Sequence, residues 1–211
     1  MILKQIPSGY DRNFAYLVAD EETKEAIVID PSKDLSLIKN EIKDYKISYI
    51  INTHSHIDHI CGNKELKELT NAKIIQHGIS PKEHDISVKD NQEIKLGELT
   101  IKFLYTPGHT KDHICILIEN NLFTGDLLFV GKIGGTGPYF PTSNSKKEYD
   151  SLKRVLTLPD ETKVWPGHDY GKTESSTIKI EKETNPFLLQ KTFKEFQYLK
   201  NNWEEYKEKH N

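Results

Sequence analysis

Cysteine, basic charge and long apolar runs are all scarce in this 211-residue chain. Its 2 cysteines, Cys61 and Cys115, are too few for a disulfide framework or a thiolate zinc cluster, which excludes small disulfide-rich and zinc-finger folds. The formal net charge of -3 provides no basic field that would attract nucleic acid. No segment approaches the roughly 18 apolar residues of a membrane-spanning helix, and the first residues lack the apolar stretch of a signal peptide. We therefore expect a cytoplasmic protein that binds neither nucleic acid nor membranes.

The order of apolar segments along the chain predicts a mixed α/β domain. The length of the chain, 211 residues, suits one domain. Strand-like runs bounded by turn residues dominate the first part, and apolar residues at helical spacing collect towards the end, which is typical of sheets covered by helices. The predicted strands are 14–19, 26–30, 47–52, 73–76, 92–95, 99–104, 114–118, 121–124 and 163–165, the predicted helices are 36–43, 63–69 and 146–156, and the glycine-rich segment 131–137 is predicted to be a loop.

Histidines crowd directly after the third predicted strand. Four residues that can bind a metal, His54, His56, Asp58 and His59, lie within six positions. In an extended or tightly turned backbone, the imidazoles of His54 and His56 can point to the same side. Imidazole and carboxylate suit zinc, iron or manganese, and the lack of thiolates argues against a structural zinc site. A metal-free surface loop is the alternative, but the alternation after a β-branched run favours a metal site.

Three further strand ends carry a histidine or an aspartate. His109 and His168 each follow a Pro-Gly turn, and Asp126 follows a buried strand. A single loop histidine is more often an ordinary solvated residue, so each position alone is a weak signal. Together with the histidine-rich segment, they give four strand ends that can converge on one edge of a sheet sandwich. We therefore predict a metal centre at that edge.

Taken in order, these seven residues resemble the ligand set of the metallo-β-lactamase superfamily, and the resemblance covers nearly the whole chain. It implies an α/β fold, the four-layer αββα sandwich, over residues 1–184, with residues 185–211 as a C-terminal helical extension packed on it. It also implies two metal positions, one held by His54, His56 and His109 and the other by Asp58, His59 and His168, with Asp126 as the bridge.

Two segments, Thr124–Phe129 and Pro166–Tyr170, are similar to the glyoxalase II branch, which hydrolyses hydroxyacylglutathione. With only one or two helices after residue 184, the chain resembles the short form of that branch. The resemblance implies a hydrolase that cleaves S-lactoylglutathione or a related hydroxyacyl thioester with a hydroxide bridging two divalent ions. Zinc is expected first, with iron or manganese as alternatives, and such ions lower the pKa of a bound water to roughly 7. Of the predicted catalytic residues, Asp126 is a bridge and Asp58 a ligand, with acid–base catalysis as the alternative role of Asp58.

Residues for substrate binding are less well marked. Glyoxalase II enzymes carry an arginine in the loop after the aspartate, where Gly135 stands here. Lys132, Tyr139 and Tyr170 are the predicted substrate-binding residues, and ordinary half-buried aromatics are the alternative for the two tyrosines. The expected partner is a small-molecule thioester. An aromatic stripe in the C-terminal segment predicts packing onto the sandwich or onto a second copy in a homodimer.

Two other activities fit the same fold. A persulfide dioxygenase resembles this chain in His54, His109 and Asp126, which would form a single iron site. Lactonase or weak β-lactamase activity is the further alternative, because an open metal-hydroxide site can attack other acyl groups. Four remaining histidines are expected to be ordinary residues: His77, His84, His113 and His210.

Overall fold

A computed structural model describes residues 1–210, and two six-stranded sheets lie at its centre. In the first sheet the spatial order of the strands equals their chain order. The strands from β1 to β3 pair antiparallel, whereas those from β3 to β6 pair parallel. They are β1 (Ile2–Pro7), β2 (Phe14–Ala19), β3 (Glu25–Ile29), β4 (Lys46–Ile51), β5 (Lys73–His77) and β6 (Ile86–Val88).

The second half of the chain supplies the second sheet, in the spatial order β14-β13-β10-β9-β8-β7, and a separate two-stranded ribbon, β11-β12. The strands are β7 (Glu93–Leu96), β8 (Leu99–Tyr105), β9 (Ile114–Ile118), β10 (Asn121–Gly125), β11 (Leu128–Phe129), β12 (Lys132–Ile133), β13 (Lys163–Pro166) and β14 (Ser176–Thr177). Because β9 is antiparallel to both β8 and β10, and β13 is parallel to β10, the carboxyl ends of β8, β10 and β13 share one edge.

Helices cover the outer faces of both sheets. They are α1 (Ser36–Glu41), α2 (Ile57–Ile60), α3 (Asn63–Thr70), α4 (Ser145–Val155), α5 (Ile178–Thr184), α6 (Phe193–Asn201) and α7 (Trp203–His210). Within residues 1–210, none of these helices has the length and apolarity needed to cross a membrane.

Three apolar clusters separate the four layers. Strand β2 illustrates the pattern, because alternate side chains of a strand point to opposite faces. Tyr16 and Val18 pack between the two sheets, while Leu17 packs in the cluster that joins the first sheet to α1 and α3. A third cluster joins the second sheet to α4, α5 and α6. The predicted αββα sandwich is therefore confirmed.

The prediction omits the strands β1, β6, β11 and β14 and the short helix α2, and it is wrong within the glycine-rich segment. Strand β1 is not predicted, because of its residues only Ile6 is buried, and the strand owes its place to backbone pairing with β2. The prediction of an uninterrupted loop over 131–137 is wrong at Lys132–Ile133, which pair with β11. Gly131, with a φ of +69°, makes the turn between these two short strands.

The C-terminal aromatic stripe packs onto the sandwich. Phe196 and Leu199 of α6 are buried in the third apolar cluster, and Trp203 and Tyr206 of α7 are partly buried against it. This contact agrees with one of the two packing alternatives. The domain boundary at residue 184 and the homodimer remain predictions.

Candidate metal centre

The loops after four strands meet at one edge of the sandwich. The histidine-rich segment follows β4 in the first sheet, whereas His109, Asp126 and His168 follow β8, β10 and β13 in the second. Gly167 is needed for this close approach, since a Cβ there would lie 2.5 Å from Oδ1 of Asp126 and 2.9 Å from the ring of His59. The structure thus brings together all seven predicted ligand residues.

The first cluster consists of His54, His56 and His109, whose candidate ligand atoms lie within 4.8 Å of one another. Nδ1 of His56 is 3.1 Å from Nε2 of His54 and 2.9 Å from Nε2 of His109. Three ring nitrogens that face each other at these distances need a cation between them, either protons or a metal ion. The first cluster could therefore hold one metal ion.

The second cluster consists of Asp58, His59 and His168, whose candidate ligand atoms also lie within 4.8 Å of one another. Oδ2 of Asp58 lies 3.3 Å from Nε2 of His59 and 3.4 Å from Nε2 of His168. The two imidazole nitrogens are 3.2 Å apart. This mixed carboxylate–imidazole set could hold a second divalent ion.

Asp126 lies between the two clusters. Its Oδ1 is 3.3 Å from Nε2 of His59 and 3.4 Å from Nε2 of His168, while its Oδ2 is 3.5 Å from Nε2 of His109. Oδ1 is buried, and no donor within residues 1–210 forms a well-aligned hydrogen bond with it. A buried carboxylate oxygen in this position fits a bond to a cation, so the residues present fit two ions with Asp126 between them.

The outward nitrogens of four histidines are all used by protein acceptors. Nδ1 of His109 donates to the carbonyl of Gly135 at 2.8 Å, and Nδ1 of His168 donates to the carbonyl of Asp11 at 2.7 Å. His54 and His59 donate in the same way to a hydroxyl and a carboxylate. In a neutral imidazole the other nitrogen, Nε2, then carries the lone pair and faces the centre. This orientation is the one that a metal ligand requires.

The electrostatics of the centre favour a cation. Burial lowers the pKa of His109 to about 4 and holds the pKa of His54 well below its ordinary value, so both rings are neutral at pH 7. Burial also acts to lower the pKa of His168, but the carboxylates of Asp126 and Asp58 together outweigh it and raise that pKa to about 9. The pKa of Asp126 itself lies well below its ordinary value, because His59 and His168 outweigh the effect of burial.

Asp30 was not a predicted site residue, yet it organises both clusters. Its Oδ2 accepts hydrogen bonds from Nδ1 of His59 at 3.0 Å and from the Thr53 hydroxyl at 2.6 Å. That hydroxyl in turn accepts from Nδ1 of His54 at 3.1 Å. Strand β3 runs parallel to β4, which places Asp30 beside the start of the histidine-rich segment. An aspartate between a buried strand and Pro31 is the only local signal that points to it.

His113 was expected to be an ordinary residue, but it lies behind the centre. Its ring is fully buried with its centroid 5.4 Å from that of His54, and its Nδ1 contacts the Thr106 hydroxyl at 2.9 Å. His113 therefore supports the ring of His54 and belongs to none of the three-residue metal groups found among residues 1–210.

The three predicted substrate-binding residues lie in different surroundings. The ring of Tyr170 stacks on His168 with centroids 4.6 Å apart, and Nζ of Lys132 donates to the carbonyl of Tyr170 at 2.8 Å. Both residues line a groove of about 730 Å³ beside the second cluster. Tyr139, by contrast, is 92% exposed, and instead its neighbour Phe140 approaches the first cluster, with its ring centroid 5.1 Å from that of His109.

The Phe140 ring also occupies the space beside Gly135. A Cβ at Gly135 would lie 2.2 Å from this ring, so no larger side chain fits there without displacing Phe140. The glycine in place of the expected arginine therefore leaves the space that the ring of Phe140 occupies. In consequence an aromatic ring, and no cationic side chain at position 135, lies next to the first cluster.

Comparison with known proteins identifies relatives with two different names. A hydroxyacylglutathione hydrolase from Pelagibacter ubique is 40% identical over 169 residues, covering 77% of this chain and 69% of the relative. The human mitochondrial persulfide dioxygenase ETHE1 is 30% identical over 197 residues, covering 89% of this chain and 76% of the relative. Both similarities extend over most of the sandwich.

A solved structure and a family profile identify the superfamily. The crystal structure of ETHE1 from Myxococcus xanthus superposes with a TM-score of 0.88 at 35% identity, covering 96% of this chain and 91% of that one. The profile of the metallo-beta-lactamase superfamily matches residues 9–79 and 76–168, a span that includes every residue of both clusters. The resemblance drawn from the sequence is confirmed: the chain belongs to the metallo-β-lactamase superfamily.

Proposed function

We propose that this chain is a metal-dependent hydrolase that cleaves a hydroxyacyl thioester of the S-lactoylglutathione type. One observation carries the proposal: both clusters are complete, and the buried Asp126 carboxylate is shared between them. A single-ion centre would leave the second cluster without a role, although enzymes with one iron ion often retain those residues, so metal content has to separate the two. The similarity to hydroxyacylglutathione hydrolases supports the same reaction.

His54, His56 and His109 would hold one ion, Asp58, His59 and His168 the other, and Asp126 would contact both. Ions bound by such ligands supply a water that ionises near neutral pH and a Lewis acid for the thioester carbonyl. Zinc is the first choice for this set of imidazoles and carboxylates, and iron or manganese would also fit. A thiolate is a good leaving group, so the protein needs to provide little acid catalysis.

Asp58 acts as a ligand in this proposal. Burial acts to raise the pKa of Asp58, but hydrogen bonds from His168 and His59 lower it overall, so the carboxylate is ionised. Nδ2 of Asn13 donates to Oδ2 of Asp58 at 3.0 Å and fixes its direction. An ionised, oriented carboxylate is suited to binding a cation and unsuited to donating a proton.

The groove beside Tyr170 would receive the acidic part of the thiol carrier. Lys132, Lys172 and Lys207 line it together with Trp203. Burial and the neighbouring charges of Arg12 and Lys207 lower the pKa of Lys132, which indicates a concentration of positive charge. A carboxylate would relieve that repulsion, so we expect Lys132→Met to raise KM for S-lactoylglutathione while kcat stays nearly constant. An unchanged KM would contradict this assignment.

A persulfide dioxygenase with one iron ion is the second candidate, because the ETHE1 structure covers nearly the whole chain. It would use His54, His109 and Asp126, and the remaining ligand-type residues would be dispensable. The two candidates therefore differ in metal content, in oxygen consumption and in the role of His168.

Metal analysis of the purified protein with paired assays decides between them. The hydrolase predicts about two metal equivalents, turnover of S-lactoylglutathione, and a loss of at least roughly 100-fold for His56→Ala or His168→Ala, the upper range for loss of a mere outer partner. His84 lies in the loop between β5 and β6, where it contacts the Ser87 hydroxyl, and belongs to neither cluster. His84→Ala is therefore the matched control and should keep full activity. One iron per chain, oxygen uptake with glutathione persulfide and an active His168→Ala variant would overturn the hydrolase in favour of the dioxygenase.

A further inference from the structure

A buried ion pair joins the C-terminal helix α6 to α4. Lys200 of α6 contacts the carboxylate of Glu148 in α4, and the side chains are only 10% and 0% exposed. Buried ion pairs contribute little net stability, because desolvation of both charges offsets their attraction. A pair in this position therefore calls for an explanation other than stability.

The lysine has a second contact, on the glycine-rich segment. Nζ of Lys200 donates to the carbonyl of Gly134 at 3.0 Å. The next carbonyl along the chain, that of Gly135, accepts the hydrogen bond from Nδ1 of His109. Two adjacent peptide groups thus connect the ammonium group of α6 with a ligand of the first cluster. Gly134 also packs directly against the backbone of Asp126, since a Cβ on Gly134 would lie 1.8 Å from the carbonyl oxygen of Asp126.

The glutamate side of the pair supports the same histidine through its helix. The amide of Asn144 donates to the carbonyl of Gly108 at 2.7 Å, and the Ser151 hydroxyl donates to the carbonyl of Pro107 at 2.7 Å. A Cβ on Gly108 would lie 2.3 Å from Cα of Glu148, so α4 packs directly on the turn that precedes His109. These contacts form a closed ring, the contact ring, which runs from His109 through Gly135 and Gly134 to Lys200, and from there through α4 back to His109.

We propose that Lys200, paired with Glu148, is a positioning residue for the metal ligand His109. It fixes the Gly134–Gly135 segment, and the Gly135 carbonyl then holds His109 in the tautomer whose Nε2 faces the first cluster. The inference rests on the proposed metal-binding role of His109. It assigns the C-terminal helix a role in the centre although α6 contributes no ligand to either cluster.

Zinc affinity and hydrogen exchange of Lys200→Met test this role. Loss of the ammonium group should weaken one zinc-binding step by about 10-fold, the lower end of the range for outer partners of metal ligands, because Lys200 acts on His109 only through the Gly134–Gly135 segment. In the metal-free protein, amide exchange should accelerate within residues 131–137. Burial raises the pKa of Glu148 to about 7 even beside Lys200, so the carboxyl can remain as a neutral group in this variant. Gln197→Ala is the matched control, since it breaks another α4–α6 contact, to the Ser145 hydroxyl, and leaves the hydrogen bond of Lys200 to the Gly134 carbonyl in place.

The outcomes separate this inference from the proposed function. Wild-type zinc affinity in Lys200→Met, or exchange that accelerates equally throughout the chain, would overturn the positioning role. Absence of zinc binding in the wild-type protein would instead count against the proposed function, and exchange in the metal-free variant would still test the contact ring. If Lys200→Met does not fold, the double variant Lys200→Met with Glu148→Gln removes both charges and carries the same expectations.

Discussion

The two clusters of the candidate metal centre are held from outside in different ways. In the first cluster the outer partners are neutral, with the Thr53 hydroxyl accepting from His54 and the Gly135 carbonyl accepting from His109. Both partners are themselves held by distant groups. Of these two partners, the Thr53 hydroxyl can be removed by a conservative substitution that changes no charge, whereas the Gly135 carbonyl belongs to the backbone.

In the second cluster the outer partners involve charge and the N-terminal part of the chain. His59 donates to the Asp30 carboxylate at 3.0 Å, and Asp58 accepts from the side-chain amide of Asn13. A carboxylate partner increases the basicity of an imidazole ligand. The two metal positions can therefore be perturbed separately, except through groups that both clusters share.

The largest effect is expected for Asp126→Asn, which changes the carboxylate that contacts both clusters. The substitution keeps the shape but removes the negative charge, so both zinc-binding steps and thioester hydrolysis should fall by at least roughly 100-fold. Saturating zinc should also lose its stabilising effect, which for a ligand at 100 times its Kd is about 2.7 kcal/mol. Titration calorimetry and thermal unfolding measure both effects. Asp150→Asn, in an exposed pair with Lys146, is the control.

Asp30→Asn should come next, because Asp30 contacts no metal position directly but joins both. Loss of its charge weakens the acceptor of His59 and of the Thr53 hydroxyl, and through Thr53 it reaches His54. Both zinc-binding steps should weaken by about 10- to 100-fold. A change confined to one step would show that the clusters do not share this carboxylate in function.

Thr53→Val should separate the clusters. Valine keeps the shape of threonine but leaves Nδ1 of His54 without its acceptor, and His54 is only 2% exposed, so water cannot replace the hydroxyl. We expect one zinc-binding step to weaken about 10-fold and the free energy of unfolding of the metal-free protein to fall by about 1–3 kcal/mol. Equal weakening of both steps would contradict the separation.

The sequence predicts the ligands well and their supports poorly, for a physical reason. Each ligand directly follows a strand within a short motif, and parallel directions of β8, β10 and β13 bring the motifs to one edge. The supporting groups lie far from the ligands in the chain and follow no spacing rule. Asp30 meets His59 only because β3 pairs with β4, and Lys200 meets Gly134 only because α6 packs on the second sheet.

The same distinction between local signals and distant contacts applies to the two aromatic residues beside the first cluster. Tyr139 and Phe140 are neighbours with similar side chains, and only the backbone at the 137–140 turn decides which ring faces the site. The sequence predicts Tyr139 as a substrate-binding residue, which stays a prediction, and does not single out Phe140, whose ring lies beside the first cluster. Strand β1 is missed in a similar way, since it pairs with β2 through backbone groups that are common to nearly all amino acids and leave little signal in the sequence.

Asn13→Ala is expected to have the smallest effect and provides the counterpart to Thr53→Val. Asn13 itself is buried, but its amide donates to Asp58, whose side chain is 23% exposed, so water can reach this carboxylate and take over the hydrogen bond. The loss should be about 0.5–1 kcal/mol, or about two- to fivefold in one zinc-binding step, and the step affected should not be the one that Thr53→Val weakens. If both variants weaken the same step, the division of outer partners between the two clusters is wrong. If Asn13→Ala costs as much as Thr53→Val, exposure does not decide how much an outer partner contributes.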